Sequence, residues 1–153
     1  MPNKTDRFLA RAFVTSLGIG YSPLLPGTLA SVGGVLLYLP FHHTPMRYLV
    51  LLGSLSILGL WASHLALKTT DETDPTWIVM DEVVGMMVAL FLVPPRLPLL
   101  VIGFCLFRFF DSIKLFPINR LELLPGEWGI FLDDLGAGIY TCLILHLILV
   151  FIS

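Results

Sequence analysis

Charge is missing from long runs of this chain, and its absence limits what the chain can fold into. No Asp, Glu, Lys or Arg occurs from Ala12 to Met46, from Tyr48 to Leu67, from Val83 to Pro95, from Leu97 to Phe107 or from Leu135 to Ser153. A helix that crosses the apolar core of a bilayer needs about 20 residues, and the second and fifth runs are that long. The first divides into a turn-rich half, Gly18 to Gly27, and an apolar half, Thr28 to Pro40. The third and fourth reach that length only if their helices carry charged residues at one end. Charged residues make up 13% of the 153, against about 25% in an ordinary soluble domain. Hydrophobic residues make up 56%, with a mean hydropathy of +0.88. This composition excludes a soluble monomer and a disordered tail. Nine basic and eleven acidic residues give a net charge of -2, which leaves no basic patch for nucleic acid. Cys105 and Cys142 stand apart in apolar runs, with no CxxC pair, zinc spacing or disulfide framework. The expectation is a single all-α domain over residues 1–153. It is a compact polytopic membrane helix bundle with about five hydrophobic helices, some of them short, and a Gly/Pro-rich N-terminal loop.

Helix boundaries follow from the punctuation. Asp74-Pro75 predicts a helix start, an N-cap followed by proline at the first helical position; that helix then includes Asp81 and Glu82. The next starts after Pro94-Pro95, runs through Arg108 and Asp111, and is stopped by Pro117. Lys4, Arg7 and Arg11 precede no clean apolar stretch with a cleavage site, which argues against a signal peptide. Those three basic residues place the N-terminus inside. Five crossings then leave Lys4, Arg7, Arg11, Lys68, Arg108, Lys114 and Arg120 inside, and Arg47 and Arg96 outside. All eleven acids fall on the inner side as well, although the positive-inside rule does not require it.

Three acidic clusters lie at ends of different helices: Asp81-Glu82, Asp111 and Asp133-Asp134. A folded bundle would bring them together with Arg108 and Lys114 at the cytoplasmic edge of the bilayer. Clustered carboxylates repel one another. Mg²⁺ relieves this with hard oxygen ligands, and a site of paired acids with nearby bases suits a phosphate held through a metal. A lone acid at a helix end is ordinarily a solvated cap, the reading for Asp6, Asp71, Glu72 and Asp74. An acid pair leading straight into an apolar segment is a functional candidate by default, the reading for Asp81-Glu82. Gly18, Gly20, Ser22, Pro23, Pro26, Gly27, Thr28 and Ser31 form a Gly/Pro-rich loop in which Thr28 is a fair N-cap. Such a loop is either an anion cradle or a plain turn before a capped helix. Arg108, Asp111 and Lys114 stand at i, i+3 and i+6, on one broad helix face. His64, mid-run, fits a packed or hydrogen-bonded structural role.

Four segments, in order and covering about residues 18 to 140, resemble the phosphatidylglycerophosphatase A family. They are Ser22-Pro23-Leu24-Leu25-Pro26-Gly27-Thr28, Met80-Asp81-Glu82-Val83-Val84-Gly85-Met86, Arg108 to Pro117, and Gly129 to Gly138. Two departures touch backbone-shaping residues: Lys114-Leu115-Phe116-Pro117 stands where the family often has Lys-Pro-x-Pro, and Ala30-Ser31 where it often has Gly-Ser. The resemblance implies an Mg²⁺-dependent lipid phosphatase of the bacterial inner membrane, multi-pass, with its site on the cytoplasmic face. It would hydrolyse phosphatidylglycerophosphate to phosphatidylglycerol and phosphate in phospholipid biosynthesis. On this basis Asp81, Glu82, Asp133 and Asp134 are expected to hold Mg²⁺. Asp111 is expected to be base or metal ligand. Lys114 and Arg108 would neutralise charge developing on the phosphoryl oxygens, and Gly27, Thr28 and Ser31 would bind substrate. Other phosphatase chemistries lack their signatures. Arg108 is three residues from Cys105 rather than six, no Asp-x-Asp occurs, and His42, His43, His64 and His146 have no Arg/Ser setting. The competing class is a small membrane cation carrier, or a structural membrane subunit, that uses the acidic clusters. A carrier would place its acids near mid-span.

Overall fold

The computed structural model describes residues 3–72 and 75–152. Among the described residues there are seven α-helices and no strand. They are α1 (Lys4–Val14), α2 (Pro26–Tyr38), α3 (Pro45–Leu67), α4 (Met80–Ala89), α5 (Leu97–Ile113), α6 (Ile118–Leu121) and α7 (Glu127–Ile152). The apolar runs fold as α2, α3, α4, α5 and α7. Of these, α3 and α7 are long and apolar enough to cross a membrane, and only 22% of the apolar window of each is buried inside the protein. Leu49, Val50, Ile57 and Trp61 of α3, and Leu143, Leu147 and Val150 of α7, face outward.

The short helix α4 is the core of the bundle. Its Val83, Val84, Gly85, Met86, Met87 and Ala89 are all buried, so it is apolar nearly all round and packed nearly all round. It crosses α7 where two glycines meet: a Cβ on Gly138 would stand 2.4 Å from the Gly85 carbonyl oxygen, so only glycine permits this approach. Two tyrosines serve carbonyls here, one in the last turn of α4 and one in the segment after it. The Tyr48 hydroxyl donates to the Met87 carbonyl at 2.6 Å, and the Tyr38 hydroxyl donates to the Val93 carbonyl.

Several boundaries differ from the sequence expectation. α2 begins at Pro26 behind Leu25, which takes a left-handed φ of 45°. Proline at the first helical position sets the start, so Thr28 lies inside the first turn and is not the N-cap. α4 begins at Met80 rather than at Asp74-Pro75: Pro75 to Val79 are non-helical, with Val79 N–H bonded to the Val14 carbonyl at 2.8 Å. Asp74 lies outside the described residues. α5 stops at Ile113, ahead of Pro117, because Lys114 turns to φ 48° as its C-cap. α7 starts at Glu127, so Asp133 and Asp134 sit in its second turn and not at its end. His64 lies in the last turn of α3 rather than mid-span, and its Nδ1 pairs with Glu127 Oε1 at 3.0 Å. α1 lies outside the charge-free runs, and a capping box between Asn3 and Asp6 starts it. Its Ala10 and Val14 pack with Ala62 and Ala66 of α3.

Candidate active site

The alternation of the helices puts the N-termini of α2, α4 and α7 and the C-termini of α3 and α5 at one end of the bundle. Two contacts fix that end: Gly27 of α2 meets Glu82 of α4, and His64 of α3 meets Glu127 of α7. The first turn of α4 presents Asp81 and Glu82, and the second turn of α7 presents Asp134. One carboxylate oxygen from each of these three residues lies within 4.8 Å of the other two. Asp81 and Asp134 are buried and Glu82 is half-buried. Asp81 Oδ1 and Glu82 Oε2 are shielded from solvent and have no hydrogen-bond partner.

Buried, unsatisfied carboxylate oxygens are costly, and here two of them come with a third carboxylate beside them. Oxygens bound to one Mg²⁺ at about 2.1 Å stand up to about 4.2 Å apart, close to the spacing seen. The donors are hard, and the orphaned oxygens have no protein group to serve. Asp81, Glu82 and Asp134 therefore fit a hard divalent cation such as Mg²⁺.

Asp133, the other acid expected to bind metal, turns elsewhere. Its Oδ2 accepts from Lys114 Nζ at 2.7 Å and its Oδ1 accepts from the Asp134 N–H at 2.9 Å. Lys114 also donates to Glu122 Oε1 at 2.8 Å. Burial opposes the Lys114 charge, but the hydrogen bonds to Asp133 and Glu122 outweigh it and hold the ammonium pKa above the ordinary lysine value. Lys114 thus leaves the Arg108–Asp111 face, because its left-handed backbone carries it off the helix.

Arg108 pairs with Asp111 at 2.9 Å, and its Nη1 lies 3.5 Å from Ser31 Oγ. Asp111 lies within electrostatic reach of Glu82, Asp133 and Asp134. The expected loop residues meet this group through backbone more than side chain. Gly27 is buried against Glu82, so close that a Cβ would fall 2.1 Å from Oε1 and 3.4 Å from Arg108 Nη1. Ser31 is buried and donates to the Gly27 carbonyl at 2.8 Å. Thr28 is half-buried, one residue past Gly27 in the same first turn. The first-turn N–H groups of Gly27 and Thr28 have no helical acceptor, and they lie beside the acids and Arg108. Glu122 escaped sequence reasoning: it stands after α6, and no spacing rule ties it to Lys114.

Relatives point the same way. The family described as phosphatidylglycerophosphatase A matches residues 12–149. Phosphatidylglycerophosphatase A of Escherichia coli is 31% identical over 134 residues, covering 86% of this chain and 78% of that protein. Phosphatidylglycerophosphatase A of Haemophilus influenzae is 32% identical over 136 residues, covering 86% and 83%. A protein of Bacteroides thetaiotaomicron described as a "Putative phosphatidylinositol-3-phosphatase" is 32% identical over 151 residues, covering 93% and 94%. No solved structure matches. The match spans every helix that supplies an acid to the site, and with it the chain belongs to the phosphatidylglycerophosphatase A family.

Proposed function

We propose that this chain is an Mg²⁺-dependent, multi-pass enzyme of the bacterial inner membrane that converts phosphatidylglycerophosphate to phosphatidylglycerol and phosphate at the cytoplasmic face. The observation that carries this reading is the meeting of Asp81, Glu82 and Asp134, with two orphaned oxygens, beside Arg108 and the open first turn of α2. The family match supports the phosphate ester as substrate. The position of the acids supports chemistry at an interface rather than a carrier, which would hold them near mid-span.

In this mechanism Asp81, Glu82 and Asp134 would hold Mg²⁺, which would supply Lewis-acid polarisation of the phosphoryl group and acidification of a water. The N–H groups of Gly27 and Thr28 donate to the terminal phosphate oxygens, as at other helix N-termini. Arg108 neutralises the charge that grows on those oxygens during transfer. Asp111, held by Arg108, accepts the proton of the water as its oxygen bonds to phosphorus, and returns that proton to the glycerol oxygen as the ester P–O bond breaks. Lys114 acts as a positioning residue: by holding Asp133 it fixes the turn of α7 that aims Asp134.

The test is phosphate release by the purified protein from phosphatidylglycerophosphate and, in parallel, from phosphatidylinositol 3-phosphate, with Mg²⁺ or with EDTA. Release from the first lipid that EDTA abolishes and Mg²⁺ restores is expected. Release from the inositol lipid alone would move the substrate assignment to the chemistry named for the Bacteroides relative. Release that ignores EDTA would remove the metal.

A further inference from the structure

A cavity of about 450 Å³ opens between α2, α4 and the loop after α1. Met80 and Val83, which flank Asp81 and Glu82 in sequence, form one wall; Gly33, Leu36 and Leu37 form the other, and Ser16 lines it from the loop. α2 runs alongside α4 away from the acids, since Gly27 touches Glu82 and Gly34 touches the Val83 carbonyl. The groove follows the same course. No charged side chain lines it, so it does not fit a phosphate headgroup. Gly33 gives it depth: a Cβ there meets no atom within 4 Å, whereas one on Gly34 would stand 2.6 Å from the Val83 oxygen. The Ser16 hydroxyl oxygen is shielded from solvent and does not face into the groove, whose surface is apolar.

We infer that this groove seats one ester-linked acyl chain of the substrate. The chain lies over Gly33 between Val83 and Leu37. The inference rests on the phosphatase reading above and adds how the lipid is held. Hydrophobic transfer contributes little, because the chain leaves surroundings as apolar as the groove. The benefit is orientation. A chain fixed beside α4 places the terminal phosphate at the acids, and a displacement of about 1 Å at a reacting group costs up to about a hundredfold in rate.

The experiment uses the purified full chain and a series of phosphatidylglycerophosphates with acyl chains from hexanoyl to palmitoyl, in one detergent. Gly33→Leu fills the groove at a position with open space, and Leu37→Trp fills it from an exposed wall, so one variant stands in if the other misfolds. Each is expected to lower kcat/KM on the palmitoyl substrate about tenfold, with the loss shrinking steadily towards the hexanoyl substrate. A loss independent of chain length, or no loss in either filled variant, overturns the assignment. If the wild type hydrolyses no member of the series, the phosphatase reading itself fails and takes the groove with it.

Discussion

Asp81 Oδ1 and Glu82 Oε2 are oxygens without a protein partner, and the lack of a partner has a thermodynamic consequence. A cation that binds only the folded chain stabilises it by about 2.7 kcal/mol at a hundred times its dissociation constant. For a chain of this size that corresponds to a rise of about 5–10 °C in melting temperature. Mg²⁺ is therefore expected to raise the melting temperature in detergent by that amount. Asp81→Asn should abolish the rise while leaving the metal-free protein at least as stable, because it removes a buried charge. An unchanged Mg²⁺ response in Asp81→Asn, Glu82→Gln and Asp134→Asn would remove these residues from metal binding. The pair Lys114–Asp133 obeys a different logic. Breaking a fully buried pair costs about 3–5 kcal/mol; Lys114 is a quarter exposed at its side chain, so Lys114→Met should cost somewhat less, about 2–3 kcal/mol. The double variant Lys114→Met/Asp133→Asn should recover much of that loss in a chemical melt, since the buried Asp133 is then not left charged and alone, and Glu122, the other partner of Lys114, is exposed to water. Asp81, Glu82 and Asp134 were legible in the sequence because acids adjoining an apolar run demand an explanation. The division of labour between Asp133 and Asp134 was not. Neighbours on a helix point about 100° apart, and only the packing of α7 decides which of them faces α4.

At the scale of elements, a glycine pair sets how closely α4 and α7 approach, and with it the distance from Asp134 to Asp81. Gly138→Ala puts a methyl 2.4 Å from the Gly85 oxygen. Backbone cannot yield as a side chain tip does, so the helices must separate. Overpacking of this kind costs about 1–3 kcal/mol, and the separation should lower phosphatase activity by more than the loss of folded protein explains. Gly53→Ala is the control: its new methyl meets no atom within 4 Å, and alanine is the better helix former by about 0.5–1 kcal/mol. Comparing melting temperature and turnover per folded molecule in the two variants separates crossing geometry from helix propensity. The apolar runs fixed where these helices lie, but their ends depended on residues that absence of charge does not register. Pro26 overrode Thr28 as the start of α2. α7 carried its charged first turns, Glu127 to Asp134, as ordinary helix, and α1 stayed hidden because Lys4, Asp6, Arg7 and Arg11 keep it out of the charge-free runs.

Across the whole molecule, the proposed topology makes a demand that helix lengths sharpen. At 1.5 Å per residue, α3 and α7 extend about 35 and 39 Å, beyond the roughly 30 Å of bilayer core. α4, with ten residues, extends only about 15 Å. In that topology it would start at the face that holds the acids and end near the middle of the membrane, and Leu90 to Pro95 would complete the passage in turns, with the N–H groups of Leu90, Phe91 and Val93 bonded back to the carbonyls of Met86, Val88 and Leu90. Irregular backbone at that depth is tolerated only inside protein. The arrangement meets this condition on one side: Leu90 and Val93 are buried, Tyr38 serves the Val93 carbonyl and Tyr48 the Met87 carbonyl, while the Leu92 side chain faces outward. The short third run of apolar residues is thus a helix that the bundle shields, a distinction that hydropathy does not draw. The topology itself is open to a direct test. In a background with Cys105 and Cys142 changed to serine, Asp71→Cys should react with a membrane-impermeant thiol reagent only in inverted vesicles. Met46→Cys, exposed in the first turn of α3 at the opposite end, should react only in intact spheroplasts. Labelling of both from one side would leave α3 lying along the membrane instead of across it. The acids would then have no fixed face on which to meet a lipid phosphate.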